Sequence, residues 1–556
     1  MPVRPTLVAL PAYGWKCFSI VVIVLALLFL LTSSWTDPPL SMARPALFDV
    51  LTADLKMIQL LLSNGSLTSV DLLDTYLAQA TQYDHYLNVM LSTPPYDKLM
   101  QLARNLDDER SAGKTRGPLH GIPIIIKDNI ATHIDMGMNS SAGSLAFLNS
   151  RPKANAKIVD MLIAAGVIIL GKANLSVCLS NMPVRCHTYA YTARNSPISM
   201  GGQTQSAYVR GGLQPGDSKD GHSSPSGSST GPAVGVSAGY APASIGTETD
   251  GSLVCPAGRA ALYTIKPTIG LVPTVGIVPV SHSFDSPGPM TKTPYDLTIL
   301  LDAIVGNRVH LQANSYSEFL TGSWADVSVG TLDPKKWVFP SSFMKPVDEA
   351  TLQINSEIQS AYAKIKDLAK TYVHHVPLIE RDSFLFQGKD SKAMITQADF
   401  HRDMNEYLSD LELSSIRNLH DLIAFNKAHA DQEIPPGINQ RILEEAFNLN
   451  LSAEQYDANA RHLRNVAKTE GIDKILDSYG LDVIIGPIDS FLSSFASGTG
   501  YLIATMPLSY LKYNGRPFGL AAIAKAHRED ILIKVQSAWE VTFGPRQPPP
   551  ALCDQS

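Results

Sequence analysis

The chain has 556 residues, of which 45% are hydrophobic, and its 45 Lys and Arg against 51 Asp and Glu give a formal net charge of −6. This composition supports a buried core and excludes a disordered chain. The slight acidity, without long basic runs, gives no electrostatic footprint for nucleic acid. Five cysteines without a C-x-x-C pair exclude a disulfide-dense scaffold and a zinc ribbon.

The N-terminal segment differs from the rest of the chain because it joins a positive flank to an apolar run. Arg4 and Lys16 precede residues 17–36, which carry no charge. Within that stretch, residues 20–31 are apolar without interruption. We predict that residues 1–36 form a signal peptide or a signal anchor, and that 17–36 could hold the chain in a membrane. The remainder would then enter the secretory pathway, either secreted or anchored with its folded domain on the lumenal or extracellular side.

Two further features are compatible with this route. Four triplets match the acceptor pattern for N-glycosylation, and their asparagines are Asn64, Asn139, Asn174 and Asn450. Beyond Cys17, four cysteines either pair in an oxidising compartment or remain small unpaired thiols: Cys178, Cys186, Cys255 and Cys553.

Alternating helix and strand patterns after residue 45 predict an α/β fold. Apolar residues at helical spacing predict two helices between 45 and 95, with a break at 64–65 and a cap at Thr68 or Ser69. The short apolar run 122–126 predicts a buried strand ending at Lys127. A helix and a strand are predicted over 159–170, and similar alternation recurs further along the chain, over 260–306.

The second half of the chain is mostly helical, with one long polar loop before it. Residues 200–232 are rich in Gly, Ser, Gln and Asp, and so long a loop in a compact domain is usually functional or mobile. Residues 347–372 and 395–470 have helical periodicity, and 481–485 predict a strand. We predict one domain over 45–545, followed by a proline-rich, frayed tail over 546–556.

Two serine-rich stretches carry the most chemical information. Residues 225–231 read P-S-G-S-S-T-G, and residues 246–252 read G-T-E-T-D-G-S. Between them, 233–239 have the small-residue pattern of a tightly packed helix. A Gly/Ser loop that enters a helix presents backbone N–H groups at a positive helix end, which suits an anion or an oxyanion. A plain flexible linker is the alternative, although it does not explain why the loop runs straight into packed apolar residues.

A serine needs a base to become a nucleophile, and Lys127 is the best candidate in the sequence. His374, His375 and His429 have ordinary neighbours, while His222 is close to the serines only in sequence, and no H-E-x-x-H metal spacing surrounds them. Lys127 follows an apolar strand, so burial would lower its pKa and let it accept a proton. A lysine that caps a strand at the surface is the alternative.

Seven blocks, taken together, resemble the amidase signature family of serine hydrolases. The blocks are 121–129, 171–176, the loop around Ser228, 246–257, 266–270, 285–290 and 514–520. They occur in the order of the family and span roughly residues 45 to 540. Residues 247–252 and 425–429, with Glu433, resemble the peptide-amidase branch in particular.

The resemblance implies one α/β domain of the amidase signature fold, in which a mixed central sheet is covered by helices. It also implies a Ser–Ser–Lys triad. On this chain the nucleophile falls on Ser252, the bridging serine, which follows a cis peptide bond, on Ser228, and the base on Lys127. The implied reaction is hydrolysis of a carboxamide C–N bond, in a small-molecule or peptide amide, through an acyl-enzyme. It requires no metal or organic cofactor, and the oligomeric state is left open.

The residues around the nucleophile have supporting roles in this interpretation. Backbone N–H groups of Thr249, Asp250 and Gly251, with that of Ser252, would hold the oxyanion. Asp285 lies in a turn where an aspartate can accept a hydrogen bond from the backbone two residues on, so we expect it to support the site rather than to react.

Three other interpretations remain open. Residues 227–231 read G-x-S-x-G, the pattern of an α/β-hydrolase esterase, but that pattern needs a preceding strand, which 221–226 do not provide. A catalytically inactive binding protein on the amidase fold would have no use for the intact set of Lys127, Ser228 and Ser252. An amidotransferase subunit that supplies ammonia to a charged transfer RNA conflicts with a secretory N-terminus.

Overall fold

The computed structural model describes residues 47–176, 201–218, 220–306, 310, 313–434 and 439–553. The chain divides into Met1–Phe48 and Asp49–Ser556, and the second unit contains every element named below. The predicted signal or anchor segment over 1–36 lies outside the described residues. Among the residues that are described, no helix combines the length and the apolar character needed to cross a bilayer.

An eleven-stranded mixed sheet forms the centre of Asp49–Ser556. The described residues contain these eleven strands and two more, which are, in chain order, β1 Met90–Ser92, β2 Pro123–Lys127, β3 Ile168–Ala173, β4 Ala243–Glu248, β5 Tyr263–Lys266, β6 Ser286–Thr291, β7 Ser328–Thr331, β8 Thr371–Val373, β9 Leu385–Phe386, β10 Lys389–Asp390, β11 Val483–Pro487, β12 Leu502–Tyr510 and β13 Pro517–Ala524. The order in the sheet is β1-β3-β2-β4-β6-β5-β12-β13-β11-β7-β8, and β9 and β10 form a separate pair.

Both strand directions occur in this sheet. β2 pairs in parallel with β3 and β4, and β11 pairs in parallel with β7. β4 runs antiparallel to β6, and β12 runs antiparallel to β5 and β13. A parallel pair needs a crossover connection, which explains why helices separate these strands in the sequence. The predicted mixed α/β architecture is confirmed.

Helices flank the sheet along the whole unit. They are α1 Leu55–Ser63, α2 Ser69–Leu87, α3 Tyr96–Ser111, α4 Lys157–Ala164, α5 Thr230–Ser237, α6 Val254–Arg259, α7 Pro294–Ile304, α8 Asp348–Leu368, α9 Ser391–Asp410, α10 Leu419–Ala428, α11 Ala430–Glu433, α12 Arg441–Asn448, α13 Ala453–Arg464, α14 Asp473–Tyr479, α15 Leu492–Thr499, α16 Glu529–Phe543 and α17 Pro550–Cys553. A π-helical stretch, Asn465–Ile472, joins α13 to α14, and short 3-10 turns occupy Ile134–Met136, Leu145–Phe147, Tyr316–Phe319 and Arg381–Phe384.

The first helix ends and the second begins where the sequence predicts, although the first begins only at Leu55 and the second ends at Leu87. The Asp54 side chain caps α1, which stops at Asn64. Thr68 caps α2 in a capping box with Asp71, so two N–H groups that lack partners in the helix are satisfied reciprocally. The predicted break at 64–65 and the predicted cap at Thr68 are confirmed.

The tail after α16 is attached to the domain, so the prediction that it is frayed is wrong for its first residues. Arg546 donates hydrogen bonds to the carbonyls of Ala261 at 3.1 Å and Leu51 at 2.9 Å, and to Tyr208 Oη at 2.8 Å. The Gln547 carbonyl accepts a hydrogen bond from Tyr208 at 2.8 Å. Composition alone could not reveal this, because the three acceptors come from distant parts of the chain.

One of the four glycosylation triplets is inaccessible. The asparagines of the other three triplets, Asn64, Asn139 and Asn450, are exposed on the surface of the protein. Asn174 is only 3% exposed, and its Nδ2 donates to the carbonyls of Asn88 at 3.0 Å and Gly202 at 2.9 Å. The prediction is therefore corrected to three candidates. Cys255 is a buried free thiol, and Cys178 and Cys186 lie outside the described residues.

Candidate active site

The site forms where two parallel strands end at the same edge of the sheet. Lys127 is the last residue of β2, and Thr247 lies near the end of its neighbour β4. Lys127 Nζ donates to Ser228 Oγ at 2.7 Å, and to the carbonyl and hydroxyl oxygens of Thr247 at 3.1 and 3.0 Å. The structure thus brings two of the predicted triad residues, 101 positions apart, into direct contact.

Lys127 is 2% exposed, so its predicted burial behind the apolar strand is confirmed. Burial lowers the pKa of its ammonium to about 7, although the negative charges of Asp285 and Glu248 oppose this shift. Near neutral pH the amine therefore exists partly in the unprotonated form that can accept a proton.

The loop that carries Ser228 is held from several sides. The Gly227–Ser228 peptide bond is cis, as the resemblance implies. The Ser228 carbonyl accepts from the backbone N–H of Ser176 at 3.2 Å, and the N–H of Ser229 donates to the Ser252 carbonyl at 3.1 Å. The second of these backbone contacts joins the two serine stretches, which the sequence shows only as separate patterns.

A tight turn between β4 and α6 presents Ser252. The Glu248 carboxylate, at the end of β4, accepts from the N–H groups of Leu253 at 2.7 Å and Val254 at 3.0 Å. Gly251 has φ +81°, in the left-handed region that favours glycine. Within the described parts of the chain, Ser252 Oγ forms no hydrogen bond, so the implied bond between Ser252 and Ser228 is not formed in this structure.

The residues predicted to hold the oxyanion, Thr249, Asp250 and Gly251, differ in their contacts. Thr249 lines the same cavity as the triad residues, whereas the Asp250 side chain accepts hydrogen bonds from Lys392 Nζ and Ser494 Oγ, both at 2.8 Å. Burial opposes ionisation of Asp250, but Lys392 and these hydrogen bonds outweigh it and hold its pKa below the usual value. The backbone N–H groups of Asp250 and Gly251 have no acceptor among the described residues, but neither of these residues lines the cavity.

Asp285 supports the turn, but through contacts other than the predicted ones. Its Oδ1 accepts from Thr249 Oγ1 at 2.5 Å, and its Oδ2 accepts from the N–H groups of Val280 at 2.7 Å and Ser281 at 3.0 Å. The expected bond to the backbone two residues on is wrong, because that residue is Pro287, which has no N–H to donate. Burial raises the pKa of Asp285 to about 6, and these hydrogen bonds oppose the rise.

A cavity of about 130 Å³ lies over these residues. Its polar floor contains Lys127, Ser228, Thr247, Thr249 and Ser252. Its apolar wall includes Phe147, Leu175, Val278, Val280, Phe400, Met404, Leu422 and Leu443. Six polar lining residues were not predicted as part of the site from the sequence: Asn129, Ser144, Ser176, Thr247, Asn426 and Glu433. The motif around Asn426 and Glu433 was the available signal, but it did not indicate that their side chains face the serines.

The other candidate bases and a candidate metal group do not contribute to this cavity. His222 accepts from Arg516 Nη2 at 3.1 Å, and burial lowers its pKa to about 4, so it stays neutral and is engaged away from both serines. In the described ranges one cluster has metal-like spacing, formed by His282, Asp399 and Asp403. Arg402 Nη2 donates hydrogen bonds to His282 Nδ1 at 2.7 Å and to Asp399 Oδ1 at 3.2 Å. The guanidinium of Arg402 therefore already compensates the negative charge of this cluster.

Comparison with known proteins agrees with this geometry. A model of the family described as Amidase matches residues 71–493. An Arabidopsis thaliana protein described as an amidase is 30% identical over 507 residues, which cover 90% of this chain and 92% of the relative. A Schizosaccharomyces pombe protein that is also described as an amidase is 29% identical over 521 residues, which cover 88% of this chain and 85% of the relative.

Solved structures show the same similarity in three dimensions. The peptide amidase of Stenotrophomonas maltophilia has a TM-score of 0.75 and 30% identity, over 90% of this chain and 98% of that one. An amidase family protein from Bacillus anthracis has a TM-score of 0.74 at 24% identity, which supports the fold alone. The family match extends over most of the chain and includes all three predicted triad residues. The chain therefore belongs to the amidase signature family and is an amidohydrolase.

Proposed function

We propose that this amidohydrolase cleaves linear carboxamides through a Ser252–Ser228–Lys127 relay and an acyl-enzyme. The observation that carries the proposal is the 2.7 Å contact between the buried Lys127 amine and Ser228 Oγ. A neutral amine has two N–H groups and one lone pair. Thr247 offers two oxygens to the N–H groups, so the lone pair is left for the proton of Ser228.

The relay begins when Ser228 gives its proton to Lys127 and takes one from Ser252. Ser252 Oγ then attacks the amide carbonyl carbon. The relay requires a hydrogen bond between the two serines, which we expect to form when substrate turns the Ser252 hydroxyl towards Ser228, since catalytic hydrogen bonds often tighten only in the complex.

The negative charge that develops on the carbonyl oxygen needs hydrogen-bond donors. The N–H groups of Asp250, Gly251 and Ser252 are suited to this role because no described acceptor occupies them. One such donor contributes roughly 2.7–4 kcal/mol in the transition state. Ser228 then returns a proton to the departing amine, the C–N bond breaks, and water releases the acid from Ser252.

The reaction is tested with a fluorophosphonate probe and with ammonia release from primary amides. We expect the probe to label the protein at Ser252, as located by peptide mass spectrometry, and Ser252→Ala to lose both labelling and turnover. An unlabelled protein would favour an inactive binding protein, and a label on Ser228 would favour the esterase pattern of 227–231.

The substrate class follows from the cavity and from one relative. The apolar wall suits a hydrophobic acyl group or side chain, and the Stenotrophomonas maltophilia structure is described as a peptide amidase. Hydrolysis of a panel of peptide amides, aryl amides and fatty amides tests this assignment, and we expect peptide amides to have the highest kcat/KM.

We further propose that the segment over 1–36 directs the domain after residue 45 into the secretory pathway, and that 17–36 anchors it if they are not cleaved. The support is the charge flank with the apolar run 20–31 and the exposed asparagines Asn64, Asn139 and Asn450. Expression in a eukaryotic host should give a species whose mass falls on endoglycosidase treatment. A cytosolic, unglycosylated product would contradict this route.

A further inference from the structure

Glu433 is a buried carboxylate in the wall of the catalytic cavity, and the relay does not use it. It is 3% exposed and lies at the end of α11. Its Oε1 accepts from Ser144 Oγ at 3.1 Å and from the N–H of Leu145 at 2.6 Å. In the described part of the chain, Oε2 accepts no hydrogen bond.

The surroundings do not supply the missing donor. Glu433 is the one acidic residue among the described residues that line this cavity, and Lys127 is the one basic residue. Asn426, which also lines it, has an Oδ1 that is buried without a donor among the described residues. Burial raises the pKa of Glu433, while the N–H groups of Leu145 and Ala146, the Ser144 hydroxyl and the nearby His429 oppose the rise. Oε2 of Glu433 is not sealed from solvent, so a hydrogen-bond donor of a substrate that enters the cavity can reach it.

We infer that Glu433 is a specificity-determining residue that binds a hydrogen-bond donor of the substrate, above all an N–H or ammonium group next to the scissile amide. The inference rests on the proposed function, since it assigns the substrate class of the same cavity. At pH 8 the Lys127 amine is mostly neutral, so the carboxylate gives the cavity a negative potential that attracts such a group. The favoured substrates are therefore amides of amino acids and peptides rather than of plain carboxylic acids.

The test compares two primary amides of nearly the same shape. Phenylalaninamide has an α-amino group, 3-phenylpropanamide lacks it, and both release ammonia. We expect the wild-type enzyme to prefer phenylalaninamide in kcat/KM by roughly tenfold to a hundredfold, the range for a hydrogen bond to a charged group. Glu433→Gln should remove most of this preference, mainly through KM, and leave 3-phenylpropanamide almost unchanged.

A matched control changes the same charge elsewhere. Glu444→Gln removes a carboxylate that pairs with Lys427 on the surface, and it should keep the wild-type preference. Equal rates on the two wild-type substrates, or a preference that survives in Glu433→Gln, would overturn the inference. If Glu433→Gln does not fold, Glu433→Asp replaces it, because it keeps the charge but withdraws the carboxylate by one methylene and should reduce the preference.

Binding separates this inference from the proposed function. In Ser252→Ala, calorimetry should show phenylalaninamide binding at least tenfold more tightly than 3-phenylpropanamide, whether or not turnover occurs. If neither amide is hydrolysed by the wild type and the binding preference is present, the proposed reaction fails and the inference stands. If both are hydrolysed and bound equally, the inference fails and the proposed reaction stands.

Discussion

Replacing Lys127 with methionine should abolish turnover and yet stabilise the fold. A methionine has a similar length and no charge, so it fills the space behind β2 without the desolvation cost of an ammonium. Lys127 is almost completely buried, and that burial is what lowers its pKa. The proton acceptor of the proposed relay is a group that the fold tolerates at a cost.

The size of the effect follows from the shift in pKa. A fall from 10.5 to about 7 is 10.5 − 7 = 3.5 units, and at about 1.36 kcal/mol per unit the wild type loses about 5 kcal/mol of stability at pH 7. Methionine forfeits three hydrogen bonds, to Ser228 and Thr247, at about 1 kcal/mol each. Thr247 retains other partners, since its hydroxyl accepts from Asn129 and its carbonyl from Ser229. A net gain of about 2 kcal/mol at pH 7 is expected.

The gain must depend on pH with a definite sign. Between pH 7 and 10.5 the unfolded lysine binds more protons than the folded one, so wild-type stability rises with pH, whereas the methionine variant lacks this contribution. The advantage of Lys127→Met should therefore shrink as pH rises from 7 to 9.5, as followed by urea unfolding in matched buffers. A variant that is less stable than wild type by the same amount at every pH would refute a depressed lysine pKa.

Three further outcomes are expected. Activity should rise with pH through about 7 as Lys127 loses its proton, and Lys127→Arg should be inactive at every accessible pH because guanidinium stays charged, as pH–rate profiles of both proteins would show. Asp285→Asn should reduce kcat less than tenfold, since the amide can still accept from Val280 and Ser281; a loss as complete as that of Ser252→Ala would contradict a supporting role. Gly251→Ala should cost roughly 1–2 kcal/mol of stability because φ is +81°, and an unchanged melting temperature would show that the turn adapts.

The local elements could be predicted from the sequence because their signals are local. The end of α1 and the cap of α2 are encoded by a few neighbouring residues, and the strand that ends at Lys127 is a short apolar run. The resemblance then related Lys127 to Ser228 and Ser252, each of which lies more than a hundred positions after Lys127 in the sequence. Burial of the lysine, argued from the strand alone, is what makes it a plausible base.

What the sequence did not predict depends on register and on distant packing. Thr247 meets Lys127 only because β2 and β4 are parallel neighbours that end together. Glu433 reaches the cavity because Ser144 and Leu145, almost 290 positions earlier, hold its carboxylate. Asp285 was expected to be a supporting residue, and its partners Val280 and Ser281 come from a turn whose path no local pattern specifies.

The adjacency of β5 and β12 has a consequence for how the protein folds in the cell. Lys266 pairs with Ile503, so the edge of the strand that carries Lys266 stays open until more than two hundred further residues have been synthesised. Open strand edges template aggregation, and contacts between distant parts of a chain slow folding. A nascent chain that has already formed β2, β4 and β6 therefore keeps the other edge of β5 unpaired until β12 arrives, and slower translation through the helical segment between them would prolong that exposure.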